Sequence, residues 1–349
     1  CMAYHLWIDK EGNLKQQRIV RGLMKSKARL TYTQVQAAKD GKPDATTENL
    51  MDNVINPLYA AYDVLRKARE KRGAMDLEAA ESKAAVDNTT GQVTGVKKRE
   101  RVDSHLLIEE FMVLTNVAAA RGLKEKGVPC VSRIHATPPS EDKIDLLREY
   151  LKTLGIEFPA GDIAQASVFN DIIKKVANTP QMRAIAQAIL MVQAKAEYGT
   201  EDIGHFGLAL LLYAHFTSPI RRYADLLVHR ALIDAYNLGE GGLNDYQMSH
   251  LDDMCKHISS TERISDQAER DANARMMADF LSGQAPNAVF AGYISGVSKG
   301  GLYVQLDDTG ATGFLPFSNL PRDFYEMNEV HRLVRGQKTG NTYRTGDSI

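Results

Sequence analysis

The sequence predicts an α+β protein in two unequal parts, a helix-rich body over residues 1–282 and a small β unit over residues 288–349. Three observations predict it. A strand–turn–strand pattern opens the chain, and apolar residues then recur at helical spacing through most of the body. Beyond Gly283-Gln-Ala-Pro286 the texture changes to short strands separated by glycine-bearing turns, the pattern of a small barrel. A chain of 349 residues holds a large core and suits two domains.

The elements follow in order. Residues 1–22 read as a hairpin about Glu11-Gly12-Asn13, and Ala28 to Thr33 leads into a short helix that breaks near Gly41-Lys-Pro43. Residues 47–70 are helical by pattern, with Leu50, Val54, Leu58, Ala61 and Leu65 along one face. Residues 72–78 look extended. The polar stretch 80–102, turn-prone at Asp87-Asn88 and Gly91, forms a hairpin or an irregular excursion. Behind Ser104, the residues Leu106, Ile108, Phe111, Met112 and Leu114 begin a long helix that reaches toward Gly127. Ser140 caps the next helix, with Glu141 and Asp142 in its first turn and an end near Gly155. Two helices fit 166–196 and a long one fits 243–282. In the β unit, Val289–Ile294, Gly301–Leu306 and Gly313–Pro316 are strands. The chain has no internal repeat.

Lys+Arg 43 against Asp+Glu 44 leaves a formal charge of −1, so composition does not announce a nucleic-acid partner. The charge is unevenly spread. Lys15, Arg18, Arg21, Lys25, Lys27 and Arg29 form one basic cluster, Arg66 to Arg72 a second, and Lys97, Lys98, Arg99 and Arg101 a third. Each suits a solvated face or the wall of a phosphate-binding channel, and spacing does not choose. Cys1, Cys130 and Cys255 are odd in number, far apart and without metal-ligand spacing, as expected of a reducing compartment. No apolar run approaches a membrane span and no signal peptide opens the chain, so the expectation is a cytoplasmic monomer without a membrane partner. The chain starts at Cys1 and enters directly into a strand, which reads as a fragment.

The most informative stretch is His215-Phe-Thr-Ser-Pro-Ile-Arg-Arg-Tyr223, continuing to Asp225, His229 and Arg230. Ser218 is a good N-cap, and Pro219 suits the first helical position. Ile220, Tyr223, Ala224, Leu227 and Ala231 then form one apolar face, and Arg221, Asp225 and His229 stack along another. A helix N-terminus with arginines in its first turn suits a phosphate. By the residues alone, an exposed helix whose arginines pair with Asp225 is the commoner meaning.

The whole segment 204–230, GHFGLALLLYAHFTSPIRRYADLLVHR, resembles the hallmark of the ribonuclease II/ribonuclease R (RNB) family of 3′→5′ exoribonucleases. Arg-Leu-Thr-Tyr at 29–32, Arg-Gly-Ala-Met-Asp at 72–76, SHLLIEEFM at 104–112, Arg-Ile-His at 133–135 and Ser260-Thr-Glu-Arg263 resemble further family segments, in the family's order. The double arginine and the GHFGLAL lead-in side with the ribonuclease R branch. The resemblance implies an RNB catalytic domain, a mixed sheet with many helices, over most of 1–282. It also implies a single RNA strand threading a channel to a magnesium site, with release of nucleoside 5′-monophosphates.

Carried over, Arg221 would contact the scissile phosphate and stabilise charge developing there. Tyr32 would stack on the 3′-terminal nucleotide, Glu109 or Glu110 would hold a terminal ribose, and Glu262 would lie along the RNA path. His215, Ser218, Arg222 and Tyr223 complete the RNA-binding set around the hallmark. The family's run of closely spaced metal-binding aspartates has no counterpart here: Asp9 and Asp76 are isolated, and Asp252-Asp253 lacks the spacing. Alone, the chain is therefore expected not to hydrolyse RNA, and a non-catalytic RNA binder is the rival reading. Two departures weaken the pattern. Ser132 stands where the family usually has an aromatic that helps sandwich the terminal bases, and Met191-Val192-Gln193 replaces a segment that commonly carries an arginine.

Residues 288–349 resemble an S1-type RNA-binding domain, an OB-fold barrel, with Phe290, Lys299, Tyr303 and Phe314 as candidate RNA contacts. Tyr293 is a further candidate, and alternation along strands would send about half of such aromatics into the core. Gly300 stands where the family often has a phenylalanine. The barrel is expected to be incomplete, with an unpaired edge, because a further strand should begin near Gly346-Asp-Ser-Ile349.

Overall fold

The computed structural model describes residues 1–349 apart from 76, 78–81, 88, 92, 99–100, 139, 159–164, 180 and 286. In chain order the elements are β1 (Met2–Ile8), β2 (Leu14–Arg21), α1 (Tyr32–Lys39), α2 (Asn56–Arg72), β3 (Ser82–Val86), β4 (Val93–Lys98), α3 (Asp103–Glu125) and β5 (Ser132–Ile134). There follow α4 (Glu141–Thr153), α5 (Ser167–Val176), α6 (Met182–Val192), β6 (Glu197–Gly199), α7 (Tyr223–Ala235), α8 (Asp245–Ser249) and α9 (Leu251–Ser282). The β-rich end holds β7 (Gly292–Val297), β8 (Gly301–Leu306), β9 (Thr312–Pro316), β10 (Tyr325–Asn328), β11 (Leu333–Gly336) and β12 (Thr342–Arg344). The class is α+β, as expected. The paired strands form small antiparallel sheets. Two compact units result, one made of Cys1–Met75, Glu100–Ala136 and Lys195–Glu262, the other of Asp76–Arg99, Thr137–Ala194 and Arg263–Ile349.

In the first unit, the β1–β2 hairpin closes through Asp9, whose carboxylate accepts from the backbone N–H of Glu11 and Asn13. Gly12 sits at φ +80, and a Cβ there would lie 2.7 Å from Ala68 Cβ of α2, so both the turn and its packing require glycine. The face expected for 47–70 is corrected. A single π-helical turn over Met51–Ile55 precedes α2, and its extra residue rotates the buried face. Ile55, Tyr59, Tyr62 and Leu65 point inward, while Val54 and Leu58 are partly exposed. The long helix α3 begins at Asp103, with Ser104 inside it, not ahead of it. The Ser104 hydroxyl donates to the Tyr32 carbonyl and its N–H to Gln36 Oε1, tying α3 to α1. Leu107 and Val113 are buried and Ile108 is exposed.

The reading of the hallmark helix is also corrected. Residues Ser218–Arg221 form a turn, closed by N–H groups of Arg221 and Arg222 donating to the Ser218 carbonyl at 3.3 and 3.1 Å, and α7 starts only at Tyr223. Pro219 is therefore a turn residue, and Ser218 does not cap α7. Ile220 is fully exposed and Tyr223 half exposed, whereas Ala224, Leu227, Val228, Ala231 and Leu232 are buried. That inward stripe joins Ala119, Ala120 and Leu123 of α3 with Tyr198, Ala214 and Phe216 in one core.

In the second unit, Ser140 Oγ accepts from the Lys143 N–H at 3.4 Å and caps α4, as expected. The helices α4, α5 and α6 bury Ile144, Leu147, Phe169, Ile172, Ile185 and Ile189. The β-rich end forms two three-stranded sheets, β7–β8–β9 and β10–β11–β12, around Ile294, Leu302 and Val334. They are not closed into a barrel. The unpaired edge expected at the end of the chain is corrected in part: residues 346–349 exchange backbone hydrogen bonds with Gly292 and Ile294 of β7. The expected linker includes residue 286, which lies outside the described residues.

Leu227 has no exposed surface and sits in the core that seats α7. Leu227→Ala should cost about 2–5 kcal/mol through lost burial and a residual cavity. Urea unfolding should show this as a lower midpoint at unchanged m-value.

Candidate nucleic-acid interface

The turn before α7 is held by one buried carboxylate. Asp225, fully buried in the first turn of α7, accepts from the Ser218 N–H at 2.7 Å and takes a two-pronged bond from Arg222, Nε at 2.7 Å and Nη2 at 2.8 Å. A buried carboxylate is tolerable only when paired and hydrogen-bonded on both oxygens, and Asp225 is. The two arginines consequently divide. Arg222 is committed to Asp225. Arg221 is exposed, and its side chain has no ion pair or hydrogen bond among the described residues. The pairing half of the commoner meaning applies to Arg222 alone.

Behind the turn lies a ladder of rings. Tyr198 of β6 meets His215 edge to face at 5.6 Å, and Tyr213 meets His215 at 5.7 Å and His205 at 5.3 Å. Tyr198 Oη and His215 Nδ1 share a hydrogen bond of 2.8 Å. Arg133 of β5 lies 4.6 Å from the Tyr198 ring centre and donates to Glu262 at 2.6 Å. Burial pushes His215 down to about 2, and the guanidiniums of Arg222, Arg133 and Arg221 push in the same direction. Three cations thus converge on a neutral imidazole, which marks the surroundings of Arg221 as electropositive. Burial, with His135 and Arg133, likewise pushes His205 down to about 3. Asn116 of α3 braces the strand into the turn, donating to Tyr213 Oη at 3.1 Å and accepting from the Phe216 N–H at 2.9 Å.

Tyr32 opens α1 with its ring half exposed and stacked on His105 at 4.1 Å, so it is neither a strand nor a core residue. Glu109 and Glu110 part ways. Glu110 is buried and accepts from Arg69 at 2.9 Å; burial raises it and Arg69 opposes the rise. Glu109 is partly exposed, bound by Arg101 and 3.6 Å from Arg69. Ser132, at the position of the missing aromatic, is buried within β5. Met191 is exposed on α6.

In the β-rich end, Tyr303 of β8 and Phe314 of β9 face each other across the ladder with rings 5.3 Å apart, both about half exposed. Lys299 is exposed in the β7–β8 turn, and Phe290 is partly buried. The structure therefore gathers Arg221, Arg222, Ser218 and His215, with Tyr223 half exposed beside them. It gathers Tyr32, Glu109 and Glu110 separately through α1 and α3. Arg133 and Tyr198 escaped sequence reasoning as site residues. Arg133 opens the Arg-Ile-His motif at 133–135, but a lone tyrosine at 198 carries no signal.

Among the described residues no group of three or more His, Cys, Asp or Glu side chains is placed to hold a metal ion. The candidate carboxylates are otherwise engaged: Asp9 with Lys15 and Asn13, Asp252 with Thr200, and Asp225, Glu109 and Glu110 with arginines. Residue 76 lies outside the described residues. A magnesium ion does not fit this donor set. No helix among the described residues is long and apolar enough to cross a membrane.

Comparison with known proteins places these features. Residues 1–237 match the RNB domain family, and residues 284–349 match the S1 RNA binding domain. The chain is 36% identical over 358 aligned residues to Ribonuclease R of Escherichia coli K12, covering all of this chain and 44% of that protein. It is 36% identical over 347 residues to Ribonuclease R of Aquifex aeolicus, covering 98% of this chain and 48% of that one. The structure superposes on Mycoplasma genitalium RNase R in complex with ribose-methylated single-stranded RNA with a TM-score of 0.90 and 25% identity, covering 100% of this chain and 55% of that one. The chain thus spans about half the length of the relatives it matches.

Two outcomes are expected of the site. Asp225→Ala leaves Arg222 partly buried without its partner and releases the Ser218 turn, so unfolding free energy should fall by about 3–5 kcal/mol in denaturant titration. His205 and His215 stay neutral in the fold, whereas in the unfolded chain they take up a proton near pH 6.5. Their contribution to stability is therefore complete above about pH 6.5 and is lost progressively as pH falls toward 3. Thermal unfolding between pH 7 and 4 should show a falling midpoint, with a shallower fall for His205→Asn, which keeps an acceptor for the Leu208 N–H.

Proposed function

The chain belongs to the RNB-domain family, and on that premise we propose that it is the RNA-threading part of a ribonuclease R-like enzyme. The intact protein would be a cytoplasmic monomer that hydrolyses single-stranded RNA processively from the 3′ end, releasing nucleoside 5′-monophosphates in a magnesium-dependent reaction. The observation that carries this reading is the division between the two arginines. Arg222 is spent on buried Asp225, and Arg221 is left exposed on a fixed turn inside an electropositive surround. A cation presented from a fixed turn suits a charge that grows on a phosphoryl oxygen.

The remaining roles follow from placement. Tyr32, half exposed and backed by His105, offers a stacking face for a terminal base, which any base can use. Glu109, partly exposed, is the better ribose acceptor of the pair, because Glu110 is occupied beneath Arg69. Glu262 is held by Arg133 and keeps part of its surface open toward a strand. Tyr303 and Phe314 supply a second, sequence-tolerant stacking surface, with Lys299 beside it. The metal-binding carboxylates of the working enzyme would lie outside these 349 residues, and this chain alone would bind RNA without cutting it. The rival reading, a non-catalytic RNA-binding protein on the same fold, draws on the same lack of a fitting donor set among the described residues.

Incubation of the chain with 5′-labelled single-stranded RNA should show retention without shortening, with or without magnesium, and retention should weaken steeply as salt rises. Magnesium-dependent shortening from the 3′ end would mean that carboxylates within this chain hold the metal. In the longer protein, Arg221→Ala should lower kcat by about 10²–10³-fold while RNA affinity changes far less. Equal losses in both would reduce Arg221 to a binding residue, and absence of any cleavage by the unmodified longer protein would favour the non-catalytic reading.

A further inference from the structure

The second unit contains a half-open pocket of about 550 Å³ between α4, α6 and the small sheets. This lies within the range of roughly 300–1,000 Å³ usual for small-molecule sites. Its informative residue is Arg332. The backbone there sits at φ +47, a left-handed conformation that residues with a Cβ seldom adopt. Burial lowers the guanidinium below its ordinary value, and Tyr150 opposes that. Among the described residues its side chain forms no ion pair. Its neighbours are the Met191 thioether, 3.0 Å from Nη2, and the ring of Tyr150, 5.6 Å from Cζ. Glu329 also lines the pocket but does not reach it as an ion pair.

Tyr150 adds an unsatisfied donor, since its hydroxyl is buried without a hydrogen-bond partner. A cation without an anion and a phenol without an acceptor, in one pocket, both call for an anionic oxygen. The rest of the wall is mostly apolar and open. Met191 is 61% exposed and Tyr303 46% exposed, far more than thioether and ring surfaces lying inside a filled core. Tyr303 also connects the pocket to the exposed Tyr303–Phe314 pair, and Lys143 brings another cation to the lining.

We propose that this pocket binds one nucleoside 5′-monophosphate unit, with its base against Tyr303 and Met191 and its phosphate on Arg332 and Lys143. The unit is either a free mononucleotide or one residue of an RNA strand already lying on the Tyr303–Phe314 surface. This rests on the RNA-handling reading above. It goes beyond that reading, because Arg332, Tyr150, Met191 and Lys143 belong neither to the Arg221 turn nor to the exposed aromatic pair, with which the pocket shares Tyr303.

Calorimetric titration of the full chain with AMP, adenosine and a short oligoadenylate tests it. Two variants are compared. Arg332→Gly removes the guanidinium and relieves the left-handed backbone, so the fold is retained. Met191→Glu places a negative charge at the pocket mouth. Phe314→Ala serves as the reference for the exposed surface. AMP should bind more tightly than adenosine, and both pocket variants should weaken AMP by at least about tenfold, roughly 1.4 kcal/mol. If AMP binds too weakly to measure but both variants weaken the oligonucleotide to that extent, the occupant is a residue of the strand. Unchanged oligonucleotide and AMP binding in both variants, with thermal midpoints retained, would overturn the pocket and leave the RNA reading standing, with Phe314→Ala still reducing affinity. Failure of the unmodified chain to bind either ligand would overturn both.

Discussion

The buried carboxylate of Asp225 is the constraint on which the proposed interface depends. It has no exposed surface, so each oxygen must be satisfied from inside the protein, and the donors that do so are the Ser218 N–H and the fork of Arg222. Satisfying it fixes the Ser218–Arg221 turn against the first turn of α7 and turns Arg221 outward. The carboxylate also lies at the helix N-terminus, where the peptide dipoles favour negative charge. One electrostatic requirement therefore sets the helix start, the turn geometry and the direction of the exposed cation.

The surround reinforces this arrangement. Arg133, Arg221 and Arg222 all act on His215, which in addition is desolvated and bonded to Tyr198. Keeping that imidazole neutral limits repulsion where several guanidiniums converge, and edge-to-face rings fill the space with little free volume. Positive charge is left over at the surface and not in the core, as a phosphate-binding face requires. Asp225, Glu110 and Glu262 are each matched with an arginine, and among the described residues no group of three or more His, Cys, Asp or Glu side chains is placed to hold a metal ion.

The β-rich end follows different physics. Its strands are short and its core small, with three fully buried apolar residues at the centre. The close approach at Gly301, where a Cβ would stand 2.3 Å from the Leu315 carbonyl oxygen, brings β8 and β9 together. Tyr303 and Phe314 are thereby paired on the outer face with their surfaces left open. Arg332, in contrast, carries a left-handed backbone and a partly buried guanidinium with no ion pair among the described residues.

The sequence by itself determined the class, the order of most elements, and the family. Glycines and prolines punctuate the helices, and the 204–230 segment is too long and particular to arise from composition. Sequence also singled out Arg221 and Tyr32. What it misplaced were the start of α7 and the buried face of α2. At Ser218-Pro219 a turn and a helix cap share the same residues, and only the demand of the buried Asp225 carboxylate decides between them. At Met51–Ile55 a single π turn shifts the periodicity without a compositional mark. Tertiary structure alone decided which of two adjacent arginines is free and which of two adjacent glutamates is buried. It also placed Arg133 on Tyr198 and opened a pocket beside Arg332. The glutamates, the Arg133–Tyr198 contact and the pocket are set by burial and by partners far away in the chain; Arg222 meets Asp225 only three residues on, and the burial of that carboxylate in the folded core decides which arginine it takes.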